Sequence, residues 1–135
     1  MTQFLRCYAL VLPIMLVVDG VWLGLVAKGF YRRHLGPLML DTFRLDVAAL
    51  FYLLYAAGLV VLAVQPSLAR GGVLRAALLG GTLGLVAYAA YDLTNLATLR
   101  GFPARMVVVD MVWGTLMSAG VAGAAAALAR ALRWG

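Results

Sequence analysis

The chain has 135 residues, of which 65% are hydrophobic, with a mean hydropathy of +1.00 and a formal net charge of +6. That apolar fraction exceeds the roughly one half that is typical of soluble domains, which excludes an ordinary soluble fold. The basic residues flank the apolar runs, where Lys and Arg contact lipid headgroups, so the charge indicates the lipid bilayer as partner and not nucleic acid.

Four apolar runs are long enough, at ~1.5 Å per residue, to cross a hydrocarbon core of ~30 Å as helices. They cover about 7–27, 46–65, 76–99 and 106–129. The sequence therefore predicts an all-α integral membrane protein, with a single domain over 1–135 that forms an antiparallel four-transmembrane-helix bundle. The first run contains an Asp and is followed by basic residues, so we expect a retained helix and not a cleaved signal peptide.

Gly and Pro mark the connections between these runs. The last two connections are short, which predicts antiparallel neighbours. The first, about 29–44, mixes aromatic and basic residues and predicts a short amphipathic segment in the membrane interface. Of the 11 Lys and Arg residues, five fall on the side of the termini and six on the other side, so the charge pattern does not determine the orientation.

Three aspartates, Asp19, Asp92 and Asp110, lie inside the apolar runs without an accompanying Lys or Arg. A charged side chain in hydrocarbon costs roughly 2.5 kcal/mol or more, so such residues persist where they face a protein interior and have a function. Counting residues to the ends of the runs places all three near one membrane face. Because burial and mutual repulsion both oppose three charges in one layer, we expect at least one of these carboxyl groups to be neutral.

Small residues recur at four-residue intervals in runs three and four, which is the spacing of close contacts between membrane helices. The predicted packing residues are Gly80, Gly84, Gly114 and Ser118. Asp92 continues the first of these seams and Asp110 begins the second, so we expect both carboxyl groups to face the bundle.

Runs one and four share a local pattern, Asp19-Gly-Val-Trp22 and Asp110-Met-Val-Trp113. This pattern is either a vestige of an inverted repeat, as in many transporters, or a coincidence. Each Trp is either part of a cation-binding aromatic cage or a residue of the interfacial belt. In the polar segment that ends run three, Asp92 and Asn95 share a helix face and can hydrogen-bond to each other. The candidate ligand- or proton-binding residues are Asp19, Trp22, Tyr91, Asp92, Asn95, Asp110 and Trp113.

A single cysteine, Cys7, and a single histidine, His34, exclude a zinc-type Cys/His site within one chain. The metals that remain compatible with the sequence are hard cations, which prefer oxygen ligands. No set of metal ligands is predicted. No motif indicates a cofactor.

Two longer strings carry a resemblance to a known family: Tyr91-Asp-Leu-Thr-Asn-Leu-Ala-Thr-Leu99 and Val109-Asp-Met-Val-Trp-Gly114. Together with Asp19-Gly-Val-Trp-Leu-Gly24 and neighbouring segments of the N-terminal half, these strings resemble a bacterial family of four-helix membrane proteins, domain of unknown function 2177. The resemblance covers nearly the whole chain. It implies a multi-pass protein of the bacterial inner (plasma) membrane, and it supplies no activity and no catalytic residues.

Three functions remain open at this level. In the first, a compact bundle, as a homodimer or larger homo-oligomer, binds or moves a proton, a small cation or a small solute at the acidic layer. In the second, the chain is a structural or accessory membrane subunit whose aspartates only hold helices together. In the third, it is an intramembrane enzyme acting on a lipid or apolar substrate, with an Asp as general acid or base. The lack of a nucleophile paired with a base favours a function that is not enzymatic.

Overall fold

The structure is a computed structural model that describes residues 1–134. Its long helices are α1 (Thr2–Val21), α3 (Leu45–Leu59), α5 (Gly72–Thr98) and α6 (Ala104–Ala131), and its shorter ones are α2 (Lys28–Leu35) and α4 (Gln65–Ala69). A π-helical segment, Trp22–Val26, extends α1, and a second, Val60–Val64, joins α3 to α4.

Within residues 1–134, four helical stretches are long and apolar enough to cross a membrane. We call them spans one to four: Thr2–Val26, Leu45–Ala69, Gly72–Thr98 and Ala104–Ala131. The predicted all-α four-helix class is confirmed. Span one begins five residues before the predicted run and span four ends two residues after it. The first connection contains α2, as the aromatic and basic residues of this segment predict, followed by a short 3₁₀ turn.

Glycine shapes the two short turns between the spans. Gly71 and Gly72 have φ angles of +96° and +67°, and Gly101 has +71°, all in a region that side chains with a Cβ rarely adopt. Pro103 stands directly before α6, where its fixed φ favours the start of a helix. These residues reverse the chain within a few positions, so consecutive spans run antiparallel.

Spans three and four form the closest helix pair, and the predicted small residues lie in their contact. A Cβ added at Gly80 would lie 2.6 Å from the carbonyl oxygen of Ser118, and one at Gly84 would meet the carbonyl oxygen of Gly114. Ser118 is fully buried and lies 2.6 Å from the hydroxyl of Tyr55. The seam of span four is thus filled by span three, and it offers no surface to a second copy of the chain.

The main core lies toward the end of the bundle that carries the termini. It is built of aliphatic and small side chains from all four spans, among them Val11, Met15, Leu59, Val64 and Val121. At the opposite end, a smaller buried cluster of Phe102, Met106 and Val107 packs against α2, beside the aromatic and charged side chains described below.

Candidate functional site

A cavity of about 420 Å³ opens at the end of the bundle opposite the termini. Residues from spans one to four and from α2 surround it, so residues far apart in the chain form one site. Its charged lining residues are Asp19, Lys28, Arg32 and Asp110, and its aromatic lining residues are Trp22, Tyr31, Phe43, Phe51, Tyr52, Tyr88, Tyr91 and Trp113. Its size lies in the range of about 300–1,000 Å³ found for small-molecule sites.

Asp19 is held by donors from two other spans. Its carboxylate accepts a hydrogen bond from the Tyr52 hydroxyl and another, of 3.0 Å, from Nε1 of Trp113. The side chain is 6% exposed. Each carboxyl oxygen of Asp19 thus has a hydrogen-bond donor from a neighbouring span.

Asp110 is tied to the connection between spans one and two. Its Oδ1 accepts a hydrogen bond of 2.5 Å from the Tyr31 hydroxyl, and that hydroxyl lies 3.4 Å from Nε1 of Trp22, which donates to it. Burial, followed by the hydrogen bond to Asp110, raises the pKa of Tyr31. The Tyr31 hydroxyl therefore stays protonated at neutral pH and holds α2 against span four.

The two Asp-x-x-Trp patterns cross each other. Because spans one and four run antiparallel, the Trp of each pattern lies level with the Asp of the other. Trp113 donates directly to Asp19, whereas Trp22 reaches Asp110 through Tyr31. The two indole rings stack with centroids 4.3 Å apart and planes 7° from parallel. The two Asp-x-x-Trp patterns thus meet in a single joint.

The local backbone helps to bring Trp22 into this joint. Ala27 N–H donates to the carbonyl oxygen of Trp22 at 2.7 Å, an i to i+5 bond that widens the helix by one residue. Such π-helical turns are rare and occur frequently at functional sites. The sequence carries only a weak signal for this turn, namely Gly20 and Gly24 on either side of Trp22.

Asp92 is buried behind the cavity and does not line it. It is fully buried, and neither of its side-chain oxygens accepts a hydrogen bond from any described residue. The hydrogen bond to Asn95 that the spacing allows is not formed: Asn95 is half-buried one turn further along α5 and does not satisfy the carboxyl group. The charged neighbour of Asp92 is Asp110, which lies close enough to interact with it.

Of the seven candidate residues named from the sequence, five line the cavity: Asp19, Trp22, Tyr91, Asp110 and Trp113. Asp92 lies behind it, and Asn95 is not among the lining residues. Sequence reasoning missed Tyr31, Tyr52 and Tyr88 as site residues. Their signal was a phenol in or beside an apolar run, because a buried tyrosine hydroxyl needs a polar partner.

A second, apolar cavity of about 400 Å³ adjoins the first on the side of spans two and three. We call it the lateral groove; it is lined by Phe51, Ala87, Tyr88, Tyr91 and Asp110. Four of these five residues also line the first cavity. The groove therefore leads from the outer face of the bundle to the carboxyl group of Asp110.

Searches of curated proteins and of solved structures give no match to this chain. A family model described as "Predicted membrane protein (DUF2177)" matches residues 4–127, which cover spans two and three, all but the outer ends of spans one and four, and every candidate site residue. The chain belongs to this family of membrane proteins, whose function is unknown.

Proposed function

We propose that this protein binds a small organic cation in the cavity between Asp19 and Asp110, and that a proton on the neighbouring Asp92–Asp110 pair competes with the cation. The observation that carries the proposal is the joint presence of two carboxyl groups and eight aromatic side chains in the lining of one cavity. Aromatic faces attract organic cations, and the attraction strengthens where water is excluded.

The two carboxylates have different parts in this proposal. Asp19 already accepts one hydrogen bond at each oxygen, so in this proposal it supplies negative charge while Asp110 is the group that the cation contacts. Asp110 accepts its hydrogen bond from Tyr31 at Oδ1. Its Oδ2 is the oxygen that a bound cation approaches, and a cation there stabilises the ionised form of Asp110.

Asp92 supplies the proton. A fully buried carboxyl group without a hydrogen-bond donor favours the neutral acid, and its O–H is then free to donate to Asp110. When Asp92 holds its proton the pair carries one negative charge, and loss of that proton leaves two. A cation bound at Asp110 favours the second negative charge, so cation binding and the proton on Asp92 oppose each other, and the displaced proton leaves through the open end of the cavity.

The crossed Asp-x-x-Trp patterns favour movement of the bound cation in addition to its binding. Many transporters place a site between two halves of inverted topology, which exchange roles as access alternates between the two faces. We propose the bacterial inner membrane as the location in which this would occur. In the described conformation, the main cavity opens toward the end opposite the termini.

The test uses the protein in nanodiscs of zwitterionic lipid, in a Trp134→Phe background. Trp134 lies away from the cavity, with Arg6 at 5.8 Å from its ring centroid, so the remaining fluorescence reports on Trp22 and Trp113. Decyltrimethylammonium and tetramethylammonium are titrated at pH 5 and pH 8. We expect saturable binding by at least one of them, at least tenfold tighter at pH 8 and lost in Asp110→Asn.

Asp46→Asn is the matched control, because Asp46 is an exposed acid outside the cavity that pairs with Arg44. It should leave binding unchanged. Asp92→Asn should retain binding but lose most of its pH dependence, and circular dichroism checks that each variant is folded. Binding by neither cation, or equal binding by the parent and a folded Asp110→Asn variant, would overturn the proposal.

A further inference from the structure

We infer that the ligand is an amphiphilic amine dissolved in the membrane, which enters the site from the bilayer between spans two and three. This inference rests on the cation site proposed above. Its cationic head would lie at Asp110, and its single apolar chain would lie in the lateral groove. Two features of the structure support this entry route: the charge at the aqueous mouth and the character of the groove.

The aqueous mouth of the cavity is basic. Lys28 and Arg32 line the cavity from α2, beyond the end of span one, and both side chains are exposed. A hydrophilic cation arriving from water meets these two positive charges before it reaches either carboxylate. Since like charges lower the local concentration of an approaching ion, this mouth disfavours entry of a cation from the aqueous side.

The lateral groove has the opposite character. None of its described lining residues is basic, and its inner end is the Asp110 carboxyl group. Its walls are Phe51 from span two and Ala87, Tyr88 and Tyr91 from span three. Phe51 and Tyr91 are 45% and 58% exposed, and in a bilayer these exposed surfaces contact lipid chains. The groove therefore complements a cation that carries an apolar chain.

Packing of the spans explains why this side is open. Span three contacts span two mainly at Val60–Val64 and at α4, which lie toward the termini. Toward the acidic end, Phe51 of span two and Tyr88 of span three both line the lateral groove. The edge-to-face pair of Tyr55 and Tyr88, with ring centroids 6.3 Å apart, marks where the close packing ends.

Ala87 offers a direct test, because it lines the groove and is not among the residues lining the main cavity. Ala87→Phe fills the groove and leaves the carboxylates and the basic mouth in place. Ala90→Phe is the matched control, since Ala90 is exposed on the same helix outside both cavities. Both variants lie in the same lipid, so partition of the amphiphile into the bilayer is the same for both.

We expect Ala87→Phe to weaken decyltrimethylammonium binding by at least tenfold and Ala90→Phe to leave it unchanged. We also expect Lys28→Gln/Arg32→Gln to strengthen tetramethylammonium binding, because it removes the basic mouth. If decyltrimethylammonium binds the parent and Ala87→Phe equally, with Asp110 still required, the cation site stands and lateral entry is overturned. If neither cation binds the parent, the cation site itself fails, and lateral entry fails with it.

Discussion

Tyr52→Phe measures how strongly the carboxylate of Asp19 is held. The substitution removes the hydroxyl of Tyr52 and with it one of the two hydrogen bonds to that carboxylate, while the ring remains. A hydrogen bond to a charged group contributes about 1.5–3 kcal/mol, whereas a neutral bond between membrane helices averages about 0.6 kcal/mol. If Asp19 is charged, we therefore expect a loss of about 1.5–3 kcal/mol, or roughly a 10- to 150-fold change in the unfolding equilibrium.

The chain supplies a matched control between the same two spans. The hydroxyl of Tyr8 in span one donates to the carbonyl oxygen of Leu53 in span two at 3.0 Å, a bond between neutral groups. Unfolding of both variants is followed by circular dichroism as denaturing detergent is added to mixed micelles. Tyr8→Phe should cost about 0.6 kcal/mol. Equal costs for Tyr52→Phe and Tyr8→Phe would refute a charged Asp19, and with it one of the two anionic groups of the proposed site.

Three further predictions concern packing and the joint between the Asp-x-x-Trp patterns. Gly84→Ala should destabilise the bundle by about 1–3 kcal/mol, because the added Cβ meets the carbonyl oxygen of Gly114. Gly120→Ala should stabilise it by about 0.5–1 kcal/mol, because no atom lies within 4 Å of the added Cβ. Unfolding in denaturing detergent compares the two variants. Trp113→Phe should destabilise the bundle more than Trp22→Phe in the same assay. The lost hydrogen bond of Trp113, of 3.0 Å, goes to the carboxylate of Asp19, whereas that of Trp22, of 3.4 Å, goes to the hydroxyl of Tyr31. The pKa of Tyr31 is raised in the folded protein, so its neutral hydroxyl contributes stability below about pH 10, and this contribution is lost as the pH rises further. The free energy of unfolding of Tyr31→Phe should therefore depend less on pH between about pH 10 and 12 than that of the parent.

The fold was predictable from the sequence because hydropathy and helix length leave few alternatives in a membrane. Four apolar runs and three turns with Gly or Pro determine the number and direction of the spans, and four-residue spacing locates the contact of Gly80 and Gly84 with span four. The apolar runs, the turn residues and the four-residue spacing are each properties of one segment or one helix. They can therefore be recognised in the sequence without knowing which helices contact each other.

The partners of the aspartates were not predictable in the same way. The hydrogen bonds from Tyr52 to Asp19 and from Tyr31 to Asp110 join residues 33 and 79 positions apart. They depend on the rotation of each span about its axis, which apolar composition leaves nearly free. The hydrogen bond between Asp92 and Asn95 that the spacing allows is absent for a related reason: residues three apart share a helix face, but tertiary packing decides which groups a side chain meets.

Packing and the candidate site are connected at Gly114. A Cβ at this position would strike the ring of Tyr88, so the ring lies directly on the backbone of span four. Tyr88 also lines both the main cavity and the lateral groove. On one side of this ring, toward the termini, small residues let spans three and four approach closely; on the other side lie Asp92 and Asp110. The absence of a side chain at Gly114 therefore sets the depth at which close packing gives way to the cavity, and so helps to determine how far the carboxylates lie from the membrane surface.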